Sequence, residues 1–258
     1  MTDLAPLRIG VCGVGTVGIA TITILLNQSS LLAARCGREL LVTHVGARRD
    51  HSDHLYGDAK VSRDVMDVAQ DPDVDVVVEV MGGTTVAHDL VKAAIEHGKH
   101  VVTANKALIA EHGNQLLALA ESSGVQLCFE AAVAGGIPVI KSLREALAGN
   151  VVSEVAGIIN GTGNFILTEM STKGRAFEDV LSEAQALGYA EADPTFDVDG
   201  TDAAHKLVIL ASLAFGVPLS IDAPAKEGIQ AITPEDLYYA KALGYRVKHL
   251  GIARRSGS

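Results

Sequence analysis

Apolar positions in the first half of the chain fall in short β-branched runs separated by longer stretches of helical period. Residues 7–12, 40–45, 75–80, 100–103 and 126–129 read as strands, and 86–97 and 106–122 are the clearest helices between them. Strands that are apolar on both faces, with helices between, predict a parallel sheet covered on both sides, the doubly wound α/β plan. The pattern changes at Ile137-Pro138. Beyond it, 140–147 reads as helical, 151–159 as a long strand, and 165–171 and 177–187 as helices. An acidic loop containing proline leads to a strongly apolar helix over 200–215. Thr233-Pro234-Glu235 has the form of a helix start, with Thr as N-cap and Pro in the first turn, and 245–254 reads as a strand. The prediction is two domains, 1–137 and 138–258, the second also α/β.

With 258 residues, 48% of them hydrophobic and 20% charged, the chain has ample apolar content for a sizeable core. Its formal charge of −10 is not offset by any basic tract, which argues against nucleic acid and an anionic membrane face as partners. A small molecule is the expected partner. Cys12, Cys36 and Cys128 are few, far apart and without C-x-x-C spacing, so reduced, buried thiols are expected rather than a disulfide frame or metal site. His51 and His54 lack a matching second pair and read as solvated loop residues. Residues 1–6 are too short and polar for a signal peptide, and no apolar run reaches membrane-spanning length. A cytoplasmic protein is the expectation.

Candidate chemistry begins directly after the first strand, at Gly13-Val14-Gly15-Thr16-Val17-Gly18, which opens a helix running to about Asn27. Gly13 permits the tight turn, Gly15 lets a pyrophosphate approach the backbone, and Gly18 lets helix and strand pack closely. The helix start then offers N–H groups and a positive dipole end to phosphates, and this strand–turn–helix context predicts a Rossmann-type nicotinamide dinucleotide domain. The second strand leads into Ala47-Arg48-Arg49, with no acid before Asp50. Two guanidiniums there suit the 2′-phosphate of NADP, since Arg binds phosphate in a bidentate fork. An ordinary solvated Arg pair is the plain alternative, and NAD stays open. Gly82-Gly83-Thr84 and Thr103-Ala104-Asn105-Lys106 follow two further strands, where ligands of such sheets bind. Lys106 sits at the positive end of a helix, where a cation is disfavoured, which suggests a functional reason for it.

In the second half, Asp202 and Lys206 lie four apart on a largely apolar helix, so their side chains share a face. A carboxylate and an ammonium on such a helix need partners, and a polar substrate is one candidate. The stretch from Ala184 through Gly188-Tyr189, Asp193-Pro194, Asp197, Gly200 and Asp202 to Lys206 resembles the signature of homoserine dehydrogenases, with every position of the pattern matched. Asn160-Gly161-Thr162-Gly163-Asn164, residues 103–106 and residues 130–138 also resemble family segments, so the likeness spans nearly the whole chain. The resemblance implies NAD(P)-dependent interconversion of L-aspartate 4-semialdehyde and L-homoserine, in threonine, methionine and isoleucine biosynthesis. By the same resemblance Lys206 is the acid/base lysine, Asp202 its substrate-binding neighbour, Glu191 the acid that holds the substrate ammonium, and Lys106 a second lysine near substrate and nicotinamide. Gly188 is then a backbone contact to the cofactor. Glu130, Val133, Gly135 and Ile137 are implied ligands of a monovalent cation, expected to be sodium, mostly through backbone carbonyls. A homodimer is expected of the full-length family.

Family members usually continue beyond this length, with a closing segment and often a regulatory domain. A short form is therefore expected to have an incomplete second sheet, weak NADP binding, little catalysis and a tendency to associate. The alternatives are a truncated, non-catalytic dinucleotide-binding homologue, or another NADP-dependent amino-acid aldehyde dehydrogenase or reductase. A phosphorylating aspartate-semialdehyde dehydrogenase would need a nucleophilic Cys in its second domain, and no Cys follows Cys128.

Overall fold

The computed structural model describes residues 4–49, 55–190 and 193–256. The chain divides into two compact units, residues 1–138 and 139–258.

The first unit is built on six parallel strands: β1 (Leu7–Cys12), β2 (Leu40–Gly46), β3 (Lys60–Ser62), β4 (Val76–Glu79), β5 (His100–Thr103) and β6 (Leu127–Cys128). Their order is β3-β2-β1-β4-β5-β6, which reverses direction at β1 and creates the crevice where doubly wound sheets bind dinucleotides. The helices are α1 (Thr16–Asn27), α2 (Ser29–Cys36), α3 (Met66–Gln70), α4 (Thr85–Glu96) and α5 (Lys106–Ser122). Ile9, Val11, Val45 and Val78 form one core face of the sheet with Ile22 of α1. This is the α/β architecture the alternating pattern predicts. The three-residue β3 and the short helices α2 and α3 are not foreseen by it. Among the described residues no single helix is long and apolar enough to cross a membrane; α1 and α2 pass that test only together, bent by 79°.

The second unit contains α6 (Val139–Lys141) running into a π-helical turn over Ser142–Ala146, then β7 (Glu154–Gly157), α7 (Gly161–Lys173), α8 (Phe177–Ala186), α9 (Thr195–Val198), α10 (Thr201–Phe215), α11 (Pro234–Ala242) and β8 (Gly251–Arg254). Ile166, Leu167 and Met170 of α7 pack with Val180, Val198, Ile229 and Leu237. The two long predicted strands shrink to an antiparallel pair of four residues each, β7 against β8. Only those residues find a ladder partner, and Val151, Ile158 and Leu250 beside them are exposed. Thr233 caps α11 as expected, in a full capping box with Asp236. Of the thiols, Cys12 is buried, whereas Cys36 and Cys128 are exposed, against the expectation of buried ones. Cys36 ends the short α2, none of whose residues is buried, and β6 is too short to enclose both its residues.

Candidate active site

At the carboxyl end of β1, Gly13 adopts φ +102, and a Cβ there would stand 2.8 Å from the Val80 backbone. A Cβ on Gly18 would overlap the Gly13 carbonyl oxygen, so α1 can lie against the turn only with glycine. Gly15 differs: it has ordinary φ, is exposed, and open space surrounds the position of its missing Cβ. Thr16 and Val17 are exposed beside it, at a helix start with no side-chain cap and no acid in its first turn. An open cradle of backbone N–H groups fits a pyrophosphate. Arg48 and Arg49 are exposed just beyond β2, and Arg63, beyond β3, donates to the Ala47 carbonyl at 2.9 Å. That third guanidinium at the same strand ends escapes sequence reasoning, because only the pairing of β2 with β3 brings it there.

The loops after β4 and β5 are stitched together. Asn105 caps α5 by accepting from Leu108 N–H at 3.1 Å and donates to the Gly83 carbonyl at 2.6 Å. Lys106 is therefore the first residue of a firmly capped helix, and its neighbour Asn105 binds the loop of Gly82 (φ +79), Gly83 (φ +72) and Thr84, the residue preceding α4. Residues 130–138 follow β6 as a 3₁₀ turn over Glu130–Ala132 and a loop in which Ala134 and Gly136 have positive φ. The loop holds Glu130, Val133, Gly135 and Ile137. Among the described residues no group of three or more His, Cys, Asp or Glu could hold a metal, so a cation here would depend on backbone carbonyls.

In the second unit, α10 follows Gly200, held at φ +88, and carries Asp202 in its first turn. Lys206 Nζ donates to Asp202 Oδ2 at 2.6 Å and to the Ile159 carbonyl at 3.0 Å. Asp202 is buried, and the Lys206 side chain keeps 19% exposure. Asn160, buried ahead of α7, donates to Asp202 Oδ2 at 3.0 Å and to Asp197 Oδ1 at 2.8 Å, while its own Oδ1 accepts from Gly163 N–H at 2.6 Å. The spacing of Asp202 and Lys206 foretells their pairing; nothing in the sequence pattern reveals that Asn160 orients the acid from 42 residues away. Asn164 donates to the His249 carbonyl and accepts from His249 N–H, tying α7 to the segment before β8. Gly188 adopts φ +76 after α8, and Thr162 donates to the Tyr189 carbonyl at 2.8 Å. Glu191 lies outside the described residues.

Known proteins match both parts of the chain. The family described as homoserine dehydrogenase, NAD binding domain, matches residues 13–130, and the family described as homoserine dehydrogenase matches 138–257. The chain is 59% identical over 255 residues to the homoserine dehydrogenase of Pseudomonas aeruginosa, covering 99% of this chain and 59% of that protein's length. Among solved structures, a homoserine dehydrogenase from Thiobacillus denitrificans superposes with a TM-score of 0.94 at 53% identity, over 98% of this chain and 59% of the other. A protein assigned to the same class in Archaeoglobus fulgidus gives 0.84 at 35% identity, over 96% and 81% of the two chains. A hyperthermophilic archaeal homoserine dehydrogenase in complex with NADPH gives 0.80 at 29%, over 97% and 79%. The chain belongs to the homoserine dehydrogenase family.

Proposed function

We propose that this chain carries the cofactor-binding and substrate-binding parts of a homoserine dehydrogenase, interconverting L-aspartate 4-semialdehyde and L-homoserine. The observation that carries the reading is the Lys206–Asp202 pair inside the family's signature stretch, joined by Asn160 of a second family segment. Bound nicotinamide would supply the hydride to the aldehyde carbon, or take it from the alcohol. Lys206 Nζ gives its proton to the aldehyde oxygen in reduction and, as the neutral amine, takes the hydroxyl proton in oxidation. Asp202 holds Nζ at one point on the helix face, and Asn160 holds Asp202, so the proton is carried by a side chain with little freedom. Asp202 and Lys106 further contribute to substrate binding, with Glu191 the acid for the substrate ammonium.

The dinucleotide is held by Gly13, Gly15, Thr16, Val17 and Gly18 at its phosphates, by the Gly82–Thr84 and Lys106 loops, and by the Gly188 backbone. Arg48 and Arg49, joined by Arg63, favour NADP over NAD, in keeping with the NADPH bound to the archaeal relative. Glu130, Val133, Gly135 and Ile137 would ligate a monovalent cation, sodium in the simplest case.

A spectrophotometric assay of the purified chain with homoserine and NADP tests the reading. Homoserine-dependent formation of NADPH is the expected result. Cofactor binding without turnover would instead mark a non-catalytic dinucleotide-binding homologue, and turnover of a different amino-acid aldehyde would mark another reductase.

A further inference from the structure

Glu79 ends β4 with its side chain fully buried, and neither the phosphate cradle nor the lysine site accounts for it. Burying a carboxyl group is costly unless its oxygens are paired, so a valine would sit more cheaply at this strand end. Both oxygens are paired. Oε2 accepts from Thr103 Oγ1 at 2.6 Å and Oε1 from Met81 N–H at 2.8 Å. Thr103 Oγ1 in turn accepts from Asn105 N–H at 2.9 Å, and Asn105 Nδ2 donates to the Gly83 carbonyl at 2.6 Å. Through the short backbone path from Met81 to Gly83 these bonds close a ring. The ring joins the loop after β4 to the loop after β5, whose next residue is Lys106. It encloses two consecutive glycines in the left-handed region with open space around them, a stretch with little else to fix its conformation.

We propose that Glu79 is a positioning residue that clamps these two loops into one rigid floor under the nicotinamide half of the dinucleotide. The inference rests on the dinucleotide part of the reading above. In this strand order β4 to β6 form the second mononucleotide half, whereas the pyrophosphate cradle and Arg48 belong to β1 and β2. Loosening the clamp therefore penalises the nicotinamide side and spares the adenosine side.

The test compares two probes on the full chain: NADPH, followed by its own fluorescence in a protein that has no Trp, and 2′,5′-ADP, followed by calorimetry. Glu79→Gln replaces one acceptor oxygen by a donor, and Thr103→Val removes the hydroxyl at nearly constant shape. Each is expected to raise the Kd for NADPH about tenfold or more while shifting that for 2′,5′-ADP by less than about twofold. Thr103→Ser, which keeps the hydroxyl, is expected to bind both probes as the native chain does. If Glu79→Gln does not fold, Thr103→Val alone decides. Native NADPH affinity in a folded variant would overturn the proposal, as would a proportional loss for both probes, the mark of a merely structural group. A native chain that binds neither probe would overturn the dinucleotide reading as well.

Discussion

Lys206 is the residue on which the proposed chemistry turns. Lys206→Ala removes the proton carrier and leaves the phosphate cradle and Arg48 unaltered, so turnover should fall by at least about 10²- to 10⁴-fold with NADPH affinity nearly unchanged. Steady-state rates and a binding titration on the same preparation check both halves of that statement. Arg48→Ala combined with Arg49→Ala should weaken NADP at least about tenfold while leaving NAD nearly untouched, because only the former carries a 2′-phosphate to lose. Equal weakening of the two cofactors would show that the pair reads no phosphate. His44 sets a pH limit of a different kind. It is buried with Ser62 Oγ at 2.8 Å and Asp71 Oδ2 at 2.7 Å. Burial pushes its pKa below the ordinary imidazole value and Lys60 adds to this, against the opposing pull of Asp71 and Asp67. A histidine kept neutral by the fold stabilises it above the unfolded pKa, and that contribution is lost as pH falls through the lowered folded one. Melting temperatures between about pH 8 and pH 5 should therefore drop more steeply in the native chain than in His44→Gln.

At the scale of elements, the turn from β1 into α1 separates two uses of glycine that the motif alone cannot distinguish. Gly18→Ala forces a methyl group into the Gly13 carbonyl and should displace α1, lowering stability and cofactor binding together. Gly15→Ala meets no atom and needs no unusual φ, so the protein should melt as before while NADPH binding collapses, its methyl group filling the phosphate cradle. Thermal melts beside NADPH titrations would show whether the two properties part in this way. Elements whose cause is local were legible in the sequence: the β1–α1 motif, the apolar α10 with its Asp202–Lys206 pair, and the capped start of α11. Elements whose cause is distant were not. β3 is three residues long and exists because β2 lies beside it, and α2 carries no buried residue to give it a period. The strand predicted over 151–159 keeps only the four residues that meet β8. The same division applies to the site, where Asn160 and Glu79 act through partners 42 and 24 residues away.

At the scale of the molecule, the two units have separate cores, one around Ile9, Val11 and Ile22 and the other around Ile166, Leu167 and Met170. A dinucleotide that binds the first unit stabilises that unit by mass action. NADPH at a hundred times its Kd should add about 2.7 kcal/mol to the unfolding of residues 1–138. Scanning calorimetry would show this as the upward shift of a transition, and a profile indifferent to NADPH would contradict it. The pairing of β7 with β8 has a consequence in time as well as in space. Every strand of the first sheet lies within residues 7–128, but Glu154 pairs with Arg254, and Asn164 with His249. On a ribosome adding about 5–20 residues per second, the first unit can be complete while β7 still waits about 5–20 s for β8. Through that interval β7 presents an unpaired edge and Asn164 an unanswered amide, so the nascent second unit is exposed to mispairing after the nucleotide fold has already closed.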